Sequence, residues 1–173
     1  ITTIMPLPEN EREWENLYIM FTTEKGNVRK NKLSDFVDVR ANGKIAMKLQ
    51  DNDEIKTVET CTDDDDLLIT TLKGQCIRFR ASDVRLFVGR SSTGVRGIRL
   101  AQDDRVISSA IIKSMSATTE ERAAYLKMSR AVRGDIDSEN DENEENVESI
   151  TPAILSDEKY AEMGASEQFV LSI

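Results

Sequence analysis

From residue 17 to residue 113 the chain alternates short apolar runs with polar turns, and no run is long enough to sustain a helical face. The first run, residues 17–23, is rich in large apolar and β-branched side chains and stops at Lys25-Gly26, a hairpin signal. The next, residues 28–31, mixes apolar with basic side chains as a half-exposed strand does. A loop holding Ser34-Asp35 leads to a third run at 45–49, and a polar turn at Asp51-Asn-Asp-Glu54 leads into a fourth at 54–61. The pattern predicts four antiparallel strands.

The same pattern then recurs. Phe21-Thr-Thr-Glu-Lys-Gly26 aligns with Ile69-Thr-Thr-Leu-Lys-Gly74, and Leu33-Ser-Asp-Phe36 with Ala81-Ser-Asp-Val84, at an offset of 48. At an offset of 51, Gly43-Lys-Ile-Ala-Met-Lys-Leu49 aligns with Gly94-Val-Arg-Gly-Ile-Arg-Leu100, and Asp53-Glu-Ile55 with Asp104-Arg-Val106. The second copy's strands are therefore expected at 67–72, 76–80, 98–100 and 105–112. Four strands per roughly 40–50 residues is the spacing of a propeller-type blade, and one blade cannot bury its faces alone. Residues 1–16 read as the end of a preceding blade, 17–61 and 62–113 as two blades, and 168–173, which resemble 17–22, as the first strand of a following one. Opening on Ile1 rather than Met, the chain is expected to be a piece of a longer protein.

Residues 114–167 break the strand pattern and read as an insert. Thr118-Thr-Glu-Glu121 is a capping-box signature, and the helix formers from 120 to 133 predict a short helix ending at Gly134. A second helix is predicted at 156–163, ended by Gly164. Between them, residues 134–149 hold almost no apolar side chain, so burial cannot offset their ordering entropy and disorder is expected. This acidic run reads either as an inert solvated linker or as a tethered polyanion that competes for a basic surface.

Charge first argues against a nucleic-acid partner, since 23 Lys+Arg stand against 32 Asp+Glu for a net of -9. Its distribution reverses that inference. Residues 17–113 hold 17 basic against 14 acidic side chains, whereas 114–173 hold 5 against 14. Within the repeat the acids crowd into turns, and the bases recur on strands and their loops.

Composition also removes chemistry. With no histidine there is no His-based triad and no imidazole acid or base, and no other catalytic constellation stands out. Cys61 and Cys76 suit a reducing cytosol, with Cys76 expected to be a small buried residue, and no apolar run approaches a bilayer span. Asp63-Asp-Asp-Asp66 lacks the spacing and glycine of a calcium loop and reads as a solvated turn, so no metal site is expected. Gly94 and Gly97 admit two readings, a backbone cradle for phosphate beside Arg90 and Arg96, or a turn and a β-bulge.

Thr22-Thr-Glu-Lys-Gly-Asn-Val-Arg-Lys-Asn-Lys-Leu-Ser-Asp-Phe36, Ile45-Ala-Met-Lys-Leu49, Gly74-Gln-Cys-Ile-Arg-Phe79 and above all Gly89-Arg-Ser-Ser-Thr-Gly-Val-Arg-Gly-Ile98 carry a resemblance to the C-terminal domain family of DNA gyrase A, in its alphaproteobacterial form. The resemblance covers nearly the whole chain. It implies an all-β fold, a propeller-like β-pinwheel of four-stranded antiparallel blades that exchange a strand with a neighbour, with double-stranded DNA wrapped on a basic rim. It further implies a cytoplasmic, nucleoid-associated type II topoisomerase in which gyrase A joins gyrase B in a heterotetramer, with ATP bound on a different subunit and Mg in the parent complex, and negative supercoiling driven by ATP. No cofactor is expected in this segment. The Gln-Arg-Arg-Gly-Gly-Lys-Gly type motif that marks gyrase is absent, which leaves the corresponding chain of the decatenating relative, topoisomerase IV, as an alternative. The breakage tyrosine of the family lies in another part of the protein and is not Tyr18, Tyr125 or Tyr160.

Wrapping needs many cations along a curved edge and little base reading. The candidates are Lys25, Arg29, Lys30 and Lys32 in the first blade, and Lys73, Arg78, Arg80, Arg85, Arg90, Arg96 and Arg99 in the second. The plain alternative is that several are solvated or paired with the acidic turns. A propeller-type scaffold binding an acidic protein is the rival class.

Overall fold

The computed structural model describes residues 4–37, 42–89, 91–133 and 155–169. It divides into two compact units, Ile1–Ser114 and Met115–Ile173. The described residues of the first form seven strands: β1 (Tyr18–Thr23), β2 (Asn27–Lys32), β3 (Ile55–Cys61), β4 (Asp66–Thr71), β5 (Cys76–Arg80), β6 (Val95–Arg96) and β7 (Val106–Ile112). They form an antiparallel sheet in the order β3-β1-β2-β6 and a second in the order β5-β4-β7.

The two copies share one plan. Each begins with a hairpin whose glycine, Gly26 or Gly74, takes a positive φ, and each hairpin is pinned from below by an aspartate. Asp53 Oδ1 accepts from the Lys25 and Glu54 amides at 2.9 and 3.0 Å. Asp104 Oδ1 accepts from the Lys73 and Arg105 amides at 3.0 and 2.9 Å. The shift of offset from 48 to 51 in the sequence thus falls in the loop between the hairpin and the aspartate that closes on it.

The expected third strands are corrected. Residues 45–49 form no strand, and in the second copy the third strand is Val95–Arg96 rather than 98–100. More tellingly, β6 does not join its own copy's sheet. It pairs with β2 of the first copy, Val95 opposite Val28 and Arg96 opposite Asn27, which is the strand exchange that the resemblance implied. Gly94 and Gly97 make this possible. A Cβ on Gly94 would lie 2.3 Å from the Val28 carbonyl oxygen, and one on Gly97 2.6 Å from Val28 Cγ1. Close packing against β2 accounts for both glycines, so the phosphate-cradle reading loses its basis.

Alternation along β1 sends Ile19 and Phe21 to one face and Met20 to the other, giving the first sheet a core on each side. Met20, Val28 and Cys61 meet Leu67, Ile69, Val84, Ile98 and Val106 of the second copy. On the opposite face Ile19 and Phe21 pack with Leu33 and Met47, under Trp14 and Phe36. The copies are also tied by polar contacts: the Ile111 amide donates to Glu59 at 3.0 Å, and the Thr57 and Ser109 hydroxyls meet.

In the second unit, α1 (Thr119–Arg133) and α2 (Asp157–Ala165) pack through Tyr125, Leu155 and Met163, with the Tyr125 and Tyr160 rings 5.1 Å apart. The capping box forms as expected: Thr118 Oγ1 accepts from the Glu121 amide at 3.2 Å and Glu121 from the Thr118 amide at 2.7 Å. Gly164 does not end the second helix, which continues through Ala165 to a cap at Ser166. The acidic run 134–149 and the end of the chain, 170–173, lie outside the described residues, and Gln168 and Phe169 are not in a strand. Among the described residues no helix is long and apolar enough to cross a membrane.

Candidate nucleic-acid interface

The repeat puts Lys30 and Lys32 in register with Arg78 and Arg80, yet the two strands that carry them differ in setting. Strand β2 is covered by β6 and by the segment that leads to it, whereas β5 is the outer edge of its sheet. The candidates therefore separate by burial.

Arg29 and Lys30, placed on the rim by sequence reasoning, are buried, at 0% and 3% exposure. The Arg29 guanidinium donates to Asn31 Oδ1 at 2.7 Å, to Ser92 Oγ at 2.9 Å, and to the carbonyls of Ser92 and Gly89. Its Cζ lies 4.8 Å from the Phe87 ring centre, with Arg85 at 4.3 Å from the same ring. Burial, and then the nearby Arg85 charge, lower the Arg29 pKa from the usual guanidinium range. Lys30 Nζ donates to Asp63 at 2.6 Å and to the Ala81 carbonyl at 2.8 Å, above the Tyr18 ring. The hydrogen bond from Lys30 holds the Asp63 carboxyl below the usual range, and Asp63 in turn raises the Tyr18 pKa through their hydrogen bond. Both cations cross-link one copy to the next from inside.

The remaining candidates among the described residues are exposed. Lys25 and Lys73 reach equivalent carbonyls, Asp51 at 2.5 Å and Gln102 at 2.6 Å, and so brace their hairpins while staying in solvent. Arg78 pairs with Asp66 at 2.6 Å. Arg80 stands on the β5 edge and Arg85 beside Phe87. Lys32, Arg96 and Arg99 are exposed with no side-chain hydrogen bond or ion pair among the described residues. Arg90 lies outside the described residues. Sequence reasoning passed over Lys48, an exposed lysine whose amide donates to the Ser92 carbonyl at 3.3 Å, beside the segment that feeds β6. Its signal was present, since Lys48 aligns with Arg99 in the repeat.

The aspartate turn is not simply solvated. Asp63, Asp65 and Asp66 pair with Lys30, Lys113 and Arg78. Asp65 is buried and accepts from the Thr62 and Ser114 amides at 2.8 and 3.0 Å. Burial pushes its pKa up, but these amides and Lys113 outweigh that and hold the carboxyl below its ordinary value. Cys76 is also corrected: lying on the β5 edge it is exposed, and Cys61 is the buried thiol, its pKa pushed up by burial to about 12. Among the described residues of 17–113, Lys32, Lys48, Arg80, Arg85, Arg96 and Arg99 are exposed cations that pair with none of the aspartates of the 63–66 turn. Such a set suits a polyanionic backbone rather than the edge of a particular base.

Comparison with known proteins bears on the same residues. The family model described as "DNA gyrase C-terminal domain, beta-propeller" matches residues 17–62 and 65–113, more than half of the chain. Over its full length the chain is 42% identical to the DNA gyrase A protein of Granulibacter bethesdensis, and it spans 19% of that relative. Among solved structures, the C-terminal domain of DNA topoisomerase IV aligns with a TM-score of 0.54 at 28% identity, over 57% of this chain and 31% of that one. The DNA gyrase A C-terminal domain aligns with a TM-score of 0.51 at 28% identity, over 57% and 32%. With the repeated hairpins, the exchanged β6 and a family match on the two repeats themselves, the chain belongs to the DNA gyrase C-terminal domain family of β-propellers.

Proposed function

We propose that this segment binds duplex DNA without marked sequence preference, as part of the wrapping surface of a DNA gyrase A protein. The observation that carries the reading is the set of exposed cations not matched by acids, Lys32, Arg96 and Arg99 above all, on a core of 17 basic against 14 acidic residues. Each phosphate neutralised by such a cation releases condensed counterion, and a long path of contacts needs no base reading. Arg80, Arg85 and Lys48 extend the path, and Lys25, Lys73 and Arg78 join it at the cost of looser hairpin or ion-pair contacts.

In the whole protein the wrapped duplex would feed strand passage by a type II topoisomerase, with gyrase B, ATP and Mg supplied by the heterotetramer at the nucleoid. The second reading is decatenation as part of a topoisomerase IV, favoured by the equal identity to the two solved domains. The 42% identity to a DNA gyrase A protein over the whole chain weighs toward supercoiling. The test is a salt titration of duplex binding by the full-length protein. Replacing Lys32, Arg96 and Arg99 by Gln should flatten the plot of log affinity against log salt by about 0.9 for each phosphate no longer neutralised. Absence of binding at low salt, or an unchanged slope in the triple variant, would refute the DNA reading.

A further inference from the structure

Among the described residues, the segment that carries β6 across to the first copy is fastened to β2 by backbone hydrogen bonds at its two ends. At its start the Phe87 amide donates to the Lys30 carbonyl at 2.9 Å, and Leu86 bridges Lys30. At its end Val95 and Arg96 pair with Val28 and Asn27, and the Gly97 amide donates to the Gly26 carbonyl at 2.8 Å. Between these anchors two buried side chains of β2 hold it. Arg29 grips the Gly89 and Ser92 carbonyls and Ser92 Oγ, and Asn31 Nδ2 donates to the Phe87 and Gly89 carbonyls at 2.9 and 3.0 Å while its Oδ1 takes the Arg29 Nε. The planar guanidinium suits this task, because it spans two carbonyls at once while lying on the Phe87 ring, which a lysine ammonium cannot do. In the second copy the matching positions are Ile77 and Phe79, so the clamp exists once in the repeat.

We propose that Arg29 and Asn31 are positioning residues for DNA wrapping: they touch no phosphate, and instead set the path of the crossover segment whose flanking cations, Arg85, Arg96 and Arg99, do. The proposal rests on the DNA reading above and adds to it which basic residues act indirectly. A buried arginine that serves several exposed ones has a distinct signature, since loosening it affects more than one phosphate, and removing its neutral partner Asn31 weakens binding without removing any charge.

The experiment compares Arg29→Gln, Arg29→Lys, Asn31→Ala and Arg96→Gln in the full-length protein, by salt titration of duplex binding and by hydrogen exchange at Val95 and Gly97. Arg96→Gln should flatten the salt slope by about 0.9 with crossover exchange unchanged. Arg29→Gln should flatten it by more than that and speed exchange at Val95 and Gly97, and Arg29→Lys should not restore either. Asn31→Ala, which keeps every cation and is the milder change should Arg29→Gln fail to fold, should flatten the slope and speed exchange as well. The proposal is overturned if Asn31→Ala leaves the slope unchanged, or if Arg29→Lys restores it, which would make Arg29 a direct phosphate ligand. If Arg96→Gln itself leaves the slope unchanged, the DNA reading fails and the proposal falls with it, whatever the exchange rates show.

Discussion

Three glycines allow the docking of β6 to be weighed term by term. Gly74 has φ +81° with nothing within 4 Å of the position a Cβ would take, so Gly74→Ala meets only the backbone penalty. For an L-residue in the left-handed region that is about 1–2 kcal/mol, eased by the lower entropy of the unfolded alanine chain. Gly97 is the converse: its φ is ordinary for any residue, but a methyl would sit 2.6 Å from Val28 Cγ1 and 3.1 Å from Ile69 Cδ1, inside a closed core. Overpacking of that kind costs about 1–3 kcal/mol. Gly94 meets both penalties, with φ +85° and a Cβ 2.3 Å from the Val28 carbonyl oxygen, a backbone atom that cannot swing aside. Relief requires β6 to lift from β2, losing a short ladder at about 1 kcal/mol per hydrogen bond. Gly94→Ala should therefore destabilise by about 3–5 kcal/mol, Gly97→Ala by less, and Gly74→Ala least. Urea unfolding followed by Trp14, the single tryptophan, which packs on the first sheet's outer core, reads all three. A Gly94→Ala midpoint no lower than that of Gly74→Ala would refute the docking of β6 on β2.

Other consequences follow from single groups. Asp65 has a folded pKa below its unfolded value, so its contribution is complete above about pH 4 and is lost as pH falls through the folded value. Asp65→Asn should thus lower stability at pH 7 by about 1–3 kcal/mol and flatten the acid limb of a stability profile; an acid limb as steep as the wild type's would count against it. The exposed Cys76 should react with a thiol reagent in the folded protein while Cys61, buried and with a pKa pushed up to about 12, reacts only on unfolding. Mass spectrometry of the modified peptides checks which thiol is labelled. Thr118→Ala removes the cap on the Glu121 amide and should cost α1 about 1 kcal/mol, visible as faster amide exchange in its first turn.

Strand content was legible because period-2 patterning and Lys-Gly hairpins are local signals. The repeat exposed the hairpins and the closing strands alike, since the aspartates that pin them recur at fixed places. The exchange of β6 was not legible from pattern, because Val95–Arg96 is too short to carry a period and its partner lies in the other copy. That same fact hid the fate of Arg29 and Lys30. On an isolated hairpin an alternating basic strand faces water; here the crossover from the second copy encloses Arg29, while Asp63 and Ala81 of that copy enclose Lys30 over the Tyr18 ring. Lys32, one residue past the covered stretch, stays exposed, and so do Arg78 and Arg80 on the edge strand. The free cations are thus those that neither the neighbour nor the acidic turns claim, a distinction set by tertiary packing.

The difference between the clamp positions in the two copies bears on how a chain of look-alike units folds without error. A crossover segment could in principle settle on the hairpin of its own copy, which has the same hydrogen-bonding edge and is closer along the chain. There it would meet Ile77 and Phe79 where Arg29 and Asn31 stand in the first copy, and the Gly89 and Ser92 carbonyls would be left facing hydrocarbon without donors. Unmade hydrogen bonds of that kind are costly in a closed core. Divergence between the two repeats thereby disfavours self-pairing and commits this crossover to the neighbouring copy, so that their order of assembly is written in the few positions where the copies disagree.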